Sequence, residues 1–356
     1  MIRALFLLFL AAQSLSPEAM QHIQAGAEAE KNRHFELAIA EFRKVTELEP
    51  TVPTGFVSLG QAYLENHDYG GAIPPLKQAL KLNPELLPAH RLLGYALLAQ
   101  GYAAEALPHL EKAQDAAALG IAQLEAGQLR DAVSNLQAAL AKRPNDPDLL
   151  YYFGRASGLL SKQSIDTLLA TYPDSARAHQ AMAENYYVLR QMPQAEKEFQ
   201  EAIQLRPDMP KVHLELGLVY AGASQWPKAE QAFLGETKLQ PGNAEAAYRL
   251  GNALLQQGRI PEAWAELVRA DRLQPEMPET LYTLGKAASL AGDNASAEKA
   301  WTKVVEIEKE SDLAAQAHFA LASLYRKLGK MEDAEREMGE FKKLQNTATP
   351  PQGPQK

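Results

Sequence analysis

The sequence predicts an all-α fold, a stack of antiparallel helix pairs repeated about ten times. Three registers predict it. Gly60, Gly94, Gly120, Gly154, Ala183, Gly217, Gly251, Gly285 and Ala322 form a series of small residues whose commonest step is 34. Alanines lie twelve residues further on, at Ala72, Ala106, Ala132, Ala195, Ala229, Ala263, Ala297 and Ala334, with Ala38 ahead of them. Prolines keep a third register at Pro50, Pro84, Pro144, Pro173, Pro207, Pro241 and Pro275. A period of this length marks a solenoid or array of small supersecondary units.

Each unit reads as two helices. The first carries apolar residues at positions 4, 7 and 11 beside the small residue at 8, as in Phe56, Leu59, Tyr63 and Gly60. On a helix of 3.6 residues per turn these share one face. Gly101, Gly127, Gly258, Gly292 and Gly329 fall at position 15, where a helix C-terminus favours a left-handed residue. Pro193, Pro227 and Pro261 fall at position 18, in the first turn of the second helix, where a missing N–H costs nothing. The second helix buries positions 20, 24 and 27, such as Ala229, Phe233 and the stem of Glu236. Proline at 32 stops it. The small residues at 8 and 20 are expected where the two axes pass closest, since a larger side chain would hold the helices apart.

This pattern resembles the tetratricopeptide repeat family, through Gly or Ala at 8, aromatic or Leu at 11, Ala at 20, an apolar residue at 24 and Pro at 32. The usual Trp at position 4 is missing throughout. Ten units are expected: 19–52, 53–86, 87–112, 113–146, 147–175, 176–209, 210–243, 244–277, 278–311 and 315–348. Together they make a solenoid over 19–346 and a tail, 347–356, expected to be disordered. The third and fifth units are short, and the fifth has no convincing Ala at position 20, so a bend or split is expected between 112 and 176. The resemblance implies a right-handed superhelix with a concave groove.

The first residues differ in kind. "MIRALFLLFLAAQSLS" has Arg3, a nine-residue apolar run, then small and polar residues, the layout of a secretory signal peptide. Cleavage is expected after Ser14, making 1–14 the signal and placing the protein in the periplasm or outside a bacterial cell. An uncleaved anchor in the inner membrane is the alternative. No later segment is apolar for long enough to span a bilayer. Cysteine is absent, which excludes disulfides, thiol chemistry and Cys-zinc sites. A net charge of −8 argues against a nucleic-acid partner.

No catalytic motif is present: no G-x-S-x-G, no phosphate loop, no H-E-x-x-H. His22, His90, His179, His213 and His318 all occupy position 4 and are expected to pack rather than bind metal. Neither cofactor nor metal is expected, and the chain reads as no enzyme.

Function is then expected on the surface. Positions 2, 5, 9, 12 and 13 of each first helix lie opposite the packed face. By the resemblance, they line the groove. The charges there are eight basic against seven acidic, while the whole chain is −8. The groove residues expected to grip protein are Tyr95, Tyr151, Arg155, Arg177, Tyr187, Tyr248, Asn252, Tyr282, Lys286 and Phe319. Tyr and Arg dominate binding hot spots. The alternative is that these aromatics cover neighbouring helices. Some family members clamp a C-terminal carboxylate with Lys at 5 and Asn at 9. Here Asn252 is accompanied by Tyr248, and no such clamp is expected. The expected function is a non-catalytic scaffold binding one or more polypeptides. A membrane-tethered assembly factor for pili or outer-membrane proteins is the alternative, and an enzyme subunit the remote one.

Overall fold

The computed structural model describes residues 15–348, and all of its regular elements there are helices. The signal segment 1–14 and residues 349–356 lie outside the described residues. Four helix pairs come first: α1 (Pro17–Lys31) with α2 (Phe35–Leu48), α3 (Pro53–Glu65) with α4 (Tyr69–Leu82), α5 (Leu87–Ala99) with α6 (Ala103–Lys112), and α7 (Ala116–Glu125) with α8 (Leu129–Lys142). A single long helix follows, α9 (Pro147–Thr171). Five more pairs complete the chain: α10 (Ala176–Val188) with α11 (Met192–Leu205), α12 (Val212–Gly222) with α13 (Trp226–Leu239), α14 (Ala244–Gln256) with α15 (Ile260–Leu273), α16 (Pro278–Leu290) with α17 (Asn294–Ile307), and α18 (Asp312–Lys327) with α19 (Met331–Ala348). The last helix therefore takes in Thr347 and Ala348, the first two residues of the expected tail.

The chain forms two compact units, divided between Ser164 and Ile165 inside α9. Within the first, the short third repeat leaves the packing unbroken: Leu110 of α6 shares a core with Ala118 and Ala122 of α7. The fifth repeat is where sequence and structure differ. Instead of a pair, residues 147–171 make one helix of 25 residues. Gly158 falls three residues before the turn position, which is Ser161, and the helix runs on until Pro173, which disfavours helical backbone in the residue before it. Only Leu149 and Ala156 of α9 are buried, both against the core of α7 and α8. Gly154, which continues the small-residue register, has open space where a Cβ would be.

Elsewhere the glycine at position 8 has a definite side-chain neighbour at position 24, and at Gly251 the backbone of Ala263, position 20, lies close as well. A Cβ on Gly60 would lie 2.5 Å from Leu76, and one on Gly251 2.7 Å from Leu267. Gly217 meets Phe233 and Gly285 meets Trp301 in the same way, and Gly26, outside the register read from the sequence, meets Phe42. The glycine is the socket for the large side chain at 24. The alanines at 20 are buried alongside.

Position 15 is left-handed in all nine described pairs. Five of these residues are the expected glycines, with φ between 74° and 82°, but Arg33, His67, Arg190 and Ser224 adopt the same conformation with a side chain, at φ of 57–62°. A side chain there costs roughly 1–2 kcal/mol against glycine. Replacing Ser224→Gly is therefore expected to stabilise the second unit by about 1 kcal/mol. Urea unfolding followed by tryptophan fluorescence checks this, since Trp226, Trp264 and Trp301 all lie in that unit. No change in midpoint would show the turn to be unstrained.

The position-4 histidines do more than pack. His22, His179 and His318 each place Nδ1 at 2.6, 2.6 and 2.7 Å from the carboxylates of Glu41, Glu198 and Glu337, nineteen residues on in the partner helix. In the third pair that residue is His109, whose Nδ1 lies 2.8 Å from Nδ1 of His90. His90 Nε2 donates to the carbonyl of Pro84 at 2.8 Å, so in the neutral ring Nδ1 is the acceptor and His109 donates to it. Burial, and then the proximity of His90, hold the His109 pKa below the usual imidazole value. A depressed folded pKa gives stability that is complete above the unfolded value and lost as pH falls through the folded one. Amide exchange in α5 and α6, corrected for its intrinsic pH dependence, should accelerate below about pH 6.5. His109→Gln, which can still donate to His90, should flatten that response. Equal acceleration in the variant would place the acid sensitivity elsewhere.

Candidate protein-binding face

First helices of successive pairs touch one another: α3 with α5, α5 with α7, α10 with α12, α14 with α16, and α16 with α18. Each unit thus has a layer of first helices, with the second helices packed behind it. Positions 2, 5, 9, 12 and 13 are those expected on the outward face of that layer, although Val57, Gln180 and Leu214 at position 5 and Leu124 and Leu255 at position 12 are buried.

The ten residues expected on this face divide between the units. Tyr95, Tyr151 and Arg155 belong to the first. Tyr95 is engaged in the fold: its hydroxyl donates to the carboxylate of Asp115, which also caps the start of α7 through the Ala118 N–H at 3.1 Å. Burial and the Asp115 charge push its phenol pKa well up. Arg155 pairs with Glu125 at 2.9 Å, tying α9 to α7. Tyr151 is the freest, 63% exposed, with its ring edge-on to Tyr152.

The other seven are in the second unit. Position 5 is aromatic in three successive first helices, Tyr248 on α14, Tyr282 on α16 and Phe319 on α18. Tyr248 and Tyr282 are half-buried against the core and Phe319 is 49% exposed, tilted against Phe341. Burial raises the Tyr282 phenol pKa. Arg249 lies over the Tyr248 ring at 5.3 Å. Lys286 is exposed one turn beyond Tyr282, and Asn252 is half-buried one turn beyond Tyr248, accepting a long 3.4 Å contact from Gln256. On α10, Tyr187 packs against the core, while Arg177 donates to Gln180 Oε1 at 2.6 Å. Position 5 of the two helices before Tyr248 is closed by Gln180 and Leu214, both buried.

Two recurrent polar features were not read from the sequence. One is the bond between positions 4 and 23, whose signal was a glutamate nineteen residues after a histidine. The other joins consecutive pairs. Glu196 and Glu298, both at position 21, accept from Tyr220 and Tyr325 of the following pair at 3.1 and 2.9 Å, and Glu230 accepts from Gln257 at 2.9 Å. A cation from the next pair reaches each: Lys228, Lys330 and Arg259.

Among the described residues no group of three His, Asp or Glu side chains could hold a metal ion, and no helix is long and apolar enough to cross a membrane. The sequence matches the Tetratricopeptide repeat family over 23–85, 57–120, 117–157, 181–244, 214–278 and 282–340, well over half of the chain. The chain belongs to the tetratricopeptide repeat family. No curated protein matches this repeat protein in sequence. Among solved structures it is similar to MamA (residues 41 to the end) from Desulfovibrio magneticus RS-1, at 19% identity over 49% of this chain and 97% of that one, TM-score 0.46. It is also similar to PilW, titled a widely conserved type IV pilus biogenesis factor, at 18% identity over 66% and 97%, TM-score 0.44. The Cut9–Hcn1 hetero-tetramer of the APC/C matches at 14% identity over 93% and 88%, TM-score 0.44.

Proposed function

We propose that this tetratricopeptide repeat protein is a non-catalytic scaffold that holds a segment of a partner polypeptide on the first-helix face of its second unit. Proteins of this repeat family bind protein partners. The observation that carries the specific reading is the row Tyr248, Tyr282 and Phe319, one aromatic at the same position of three adjoining helices. Half-buried rings are held in place before binding, so little side-chain entropy is lost when a partner covers them. Lys286 and Arg177 supply polar contacts at the rim of that row and beyond it. Tyr151 and Arg155 would serve the first unit in the same manner. Tyr95, tied to Asp115, would present ring surface only. Residues 1–14 would direct the chain to the periplasm or cell exterior, and retention of that segment would tether it as an assembly factor in the envelope.

The test is crosslinking capture by the full chain from an extract of its own cells, beside the variant Tyr248→Ala with Tyr282→Ala. Partners captured by the wild type are expected to be lost by the variant, with its tryptophan-monitored unfolding retained. Equal capture by both would move binding off this face.

A further inference from the structure

A cluster of carboxyl groups sits on the same layer, where α10 meets α12. Glu184 and Glu215 are bridged by one side chain. Gln180 receives Arg177 on its oxygen and turns its amide nitrogen to Glu184 Oε1 at 2.8 Å and Glu215 Oε2 at 3.4 Å. A third carboxyl, Glu236 of α13, lies at the N-terminus of α12. It is fully buried, and its Oε1 accepts the N–H of Lys211 at 3.0 Å while Oε2 has no partner. Lys211 adopts left-handed backbone (φ 71°) there and is the residue one turn before Glu215.

Among the described residues no ion pair is formed by Glu184, Glu215 or Glu236, whereas Glu196, Glu230, Glu245 and Glu298 of the same unit each have a lysine or arginine. An ionised carboxylate offers about four acceptor sites. One amide group shared between Glu184 and Glu215 leaves most of theirs open.

We infer that the Glu184–Glu215 pair is a receptor for an arginine side chain on the bound polypeptide segment. This rests on the reading that the first-helix face receives a partner, and it names what that partner carries beside its apolar anchors. A guanidinium presents donors in a planar fork, which suits two neighbouring carboxylates better than a point charge does. Its positive charge meets Glu184 and Glu215 at the surface, and the buried Glu236 adds its potential from below.

The titration of Glu215 agrees with a site built for a cation. Burial, and then the Glu184 charge, push its carboxyl up to about 7, with a smaller contribution from Glu236, against the opposing effects of the Gln180 bond and of Lys211. The groups that face it are therefore Arg177, Gln180 and Glu184 on α10, Lys211 on its own helix and Glu236 on α13. An arriving guanidinium takes the ionised form, so binding releases a proton and weakens as pH falls through that value.

The experiment titrates the full chain with the capped tripeptide Ac-Ala-Arg-Ala-NH2, and with its citrulline counterpart, which keeps the shape and loses the charge. Carboxyl carbon NMR of Glu184 and Glu215 reports the site. The arginine peptide is expected to bind and to lower the Glu215 pKa, with affinity about tenfold weaker one pH unit below that pKa than well above it. Glu184→Gln and Glu215→Gln should each weaken binding about tenfold or more. Both remove like-charge repulsion, so neither endangers folding, and tryptophan-monitored unfolding verifies that. Equal binding of the citrulline peptide, unchanged affinity in Glu215→Gln, or no binding of the arginine peptide overturns the inference. The tyrosine double variant keeps the two readings apart. Partners retained by Tyr248→Ala with Tyr282→Ala, alongside arginine-peptide binding at Glu215, would sink the aromatic row and leave this site standing. Partners lost by that variant, with no arginine-peptide binding, would do the reverse.

Discussion

Phe233→Ala is expected to destabilise the second unit by about 4 kcal/mol, the upper part of the range for removing a buried aromatic ring. The reason lies opposite the ring. Phe233 is 1% exposed and fills the socket left by Gly217, its ring edge pressed against that backbone. When the ring goes, glycine has no side chain to move into the void, and Ala229 and Ala232 beside it on α13 are too short to help. The cavity stays open, which is the condition under which truncation costs most. Phe199→Ala provides the internal comparison. In that pair position 8 is Ala183, buried in the same core, so the void is expected to be smaller and the loss less severe. Urea unfolding read by the three tryptophans measures both. A loss below about 2 kcal/mol for Phe233→Ala would mean the pair relaxes around the gap.

That geometry also explains what the sequence could convey. The period, the helix pairs and the glycine turns were legible because each depends on residues a fixed distance apart. Spacing locates a small residue but not the atom it makes room for, so the close approach at positions 8 and 20 was legible while the large side chain at 24 that fills it was not. The continuous α9 was hinted at by the missing Ala at position 20, yet a stretch whose turn position is Ser161 rather than glycine reads the same in one helix or two. Arg33, His67, Arg190 and Ser224 were missed as left-handed residues because packing on both sides, not their own preference, imposes the turn.

The candidate face was less legible still. Tyr95 has the residue type and position of an anchor, and only the structure brings Asp115 to its hydroxyl. Glu215 reads as one more charge on a helix, and only the approach of α10 sets Glu184 beside it. Cross-helix partners follow from how adjoining pairs lie together, which one sequence without its contacts does not specify. The polar stitches between pairs belong to the same class. Most are partly exposed ion pairs, worth about 0–1 kcal/mol each, so they set the angle between pairs more than they stabilise them.

The same substitution at two positions of one register should have opposite outcomes. Gly217→Leu is expected to cost about 3 kcal/mol, because its first carbon already collides with a ring that has no room to move. Gly154→Leu is expected to cost nothing and to stabilise α9 by up to about 1 kcal/mol, since leucine is the better helix former. Both glycines fit the series from Gly60 to Ala322, and by sequence alone they are equivalent. They differ because α9 has no second helix folded back on it, so Gly154 has open space where Gly217 has Phe233. Tryptophan fluorescence follows the first variant, and amide exchange along α9 follows the second. If Gly154→Leu instead proved as damaging as Gly217→Leu, residues 147–175 would form a closed helix pair in solution. The single long helix would then be wrong. If both were harmless, position 24 would be free to move, and the socket would not be what sets the spacing between the helices of each pair.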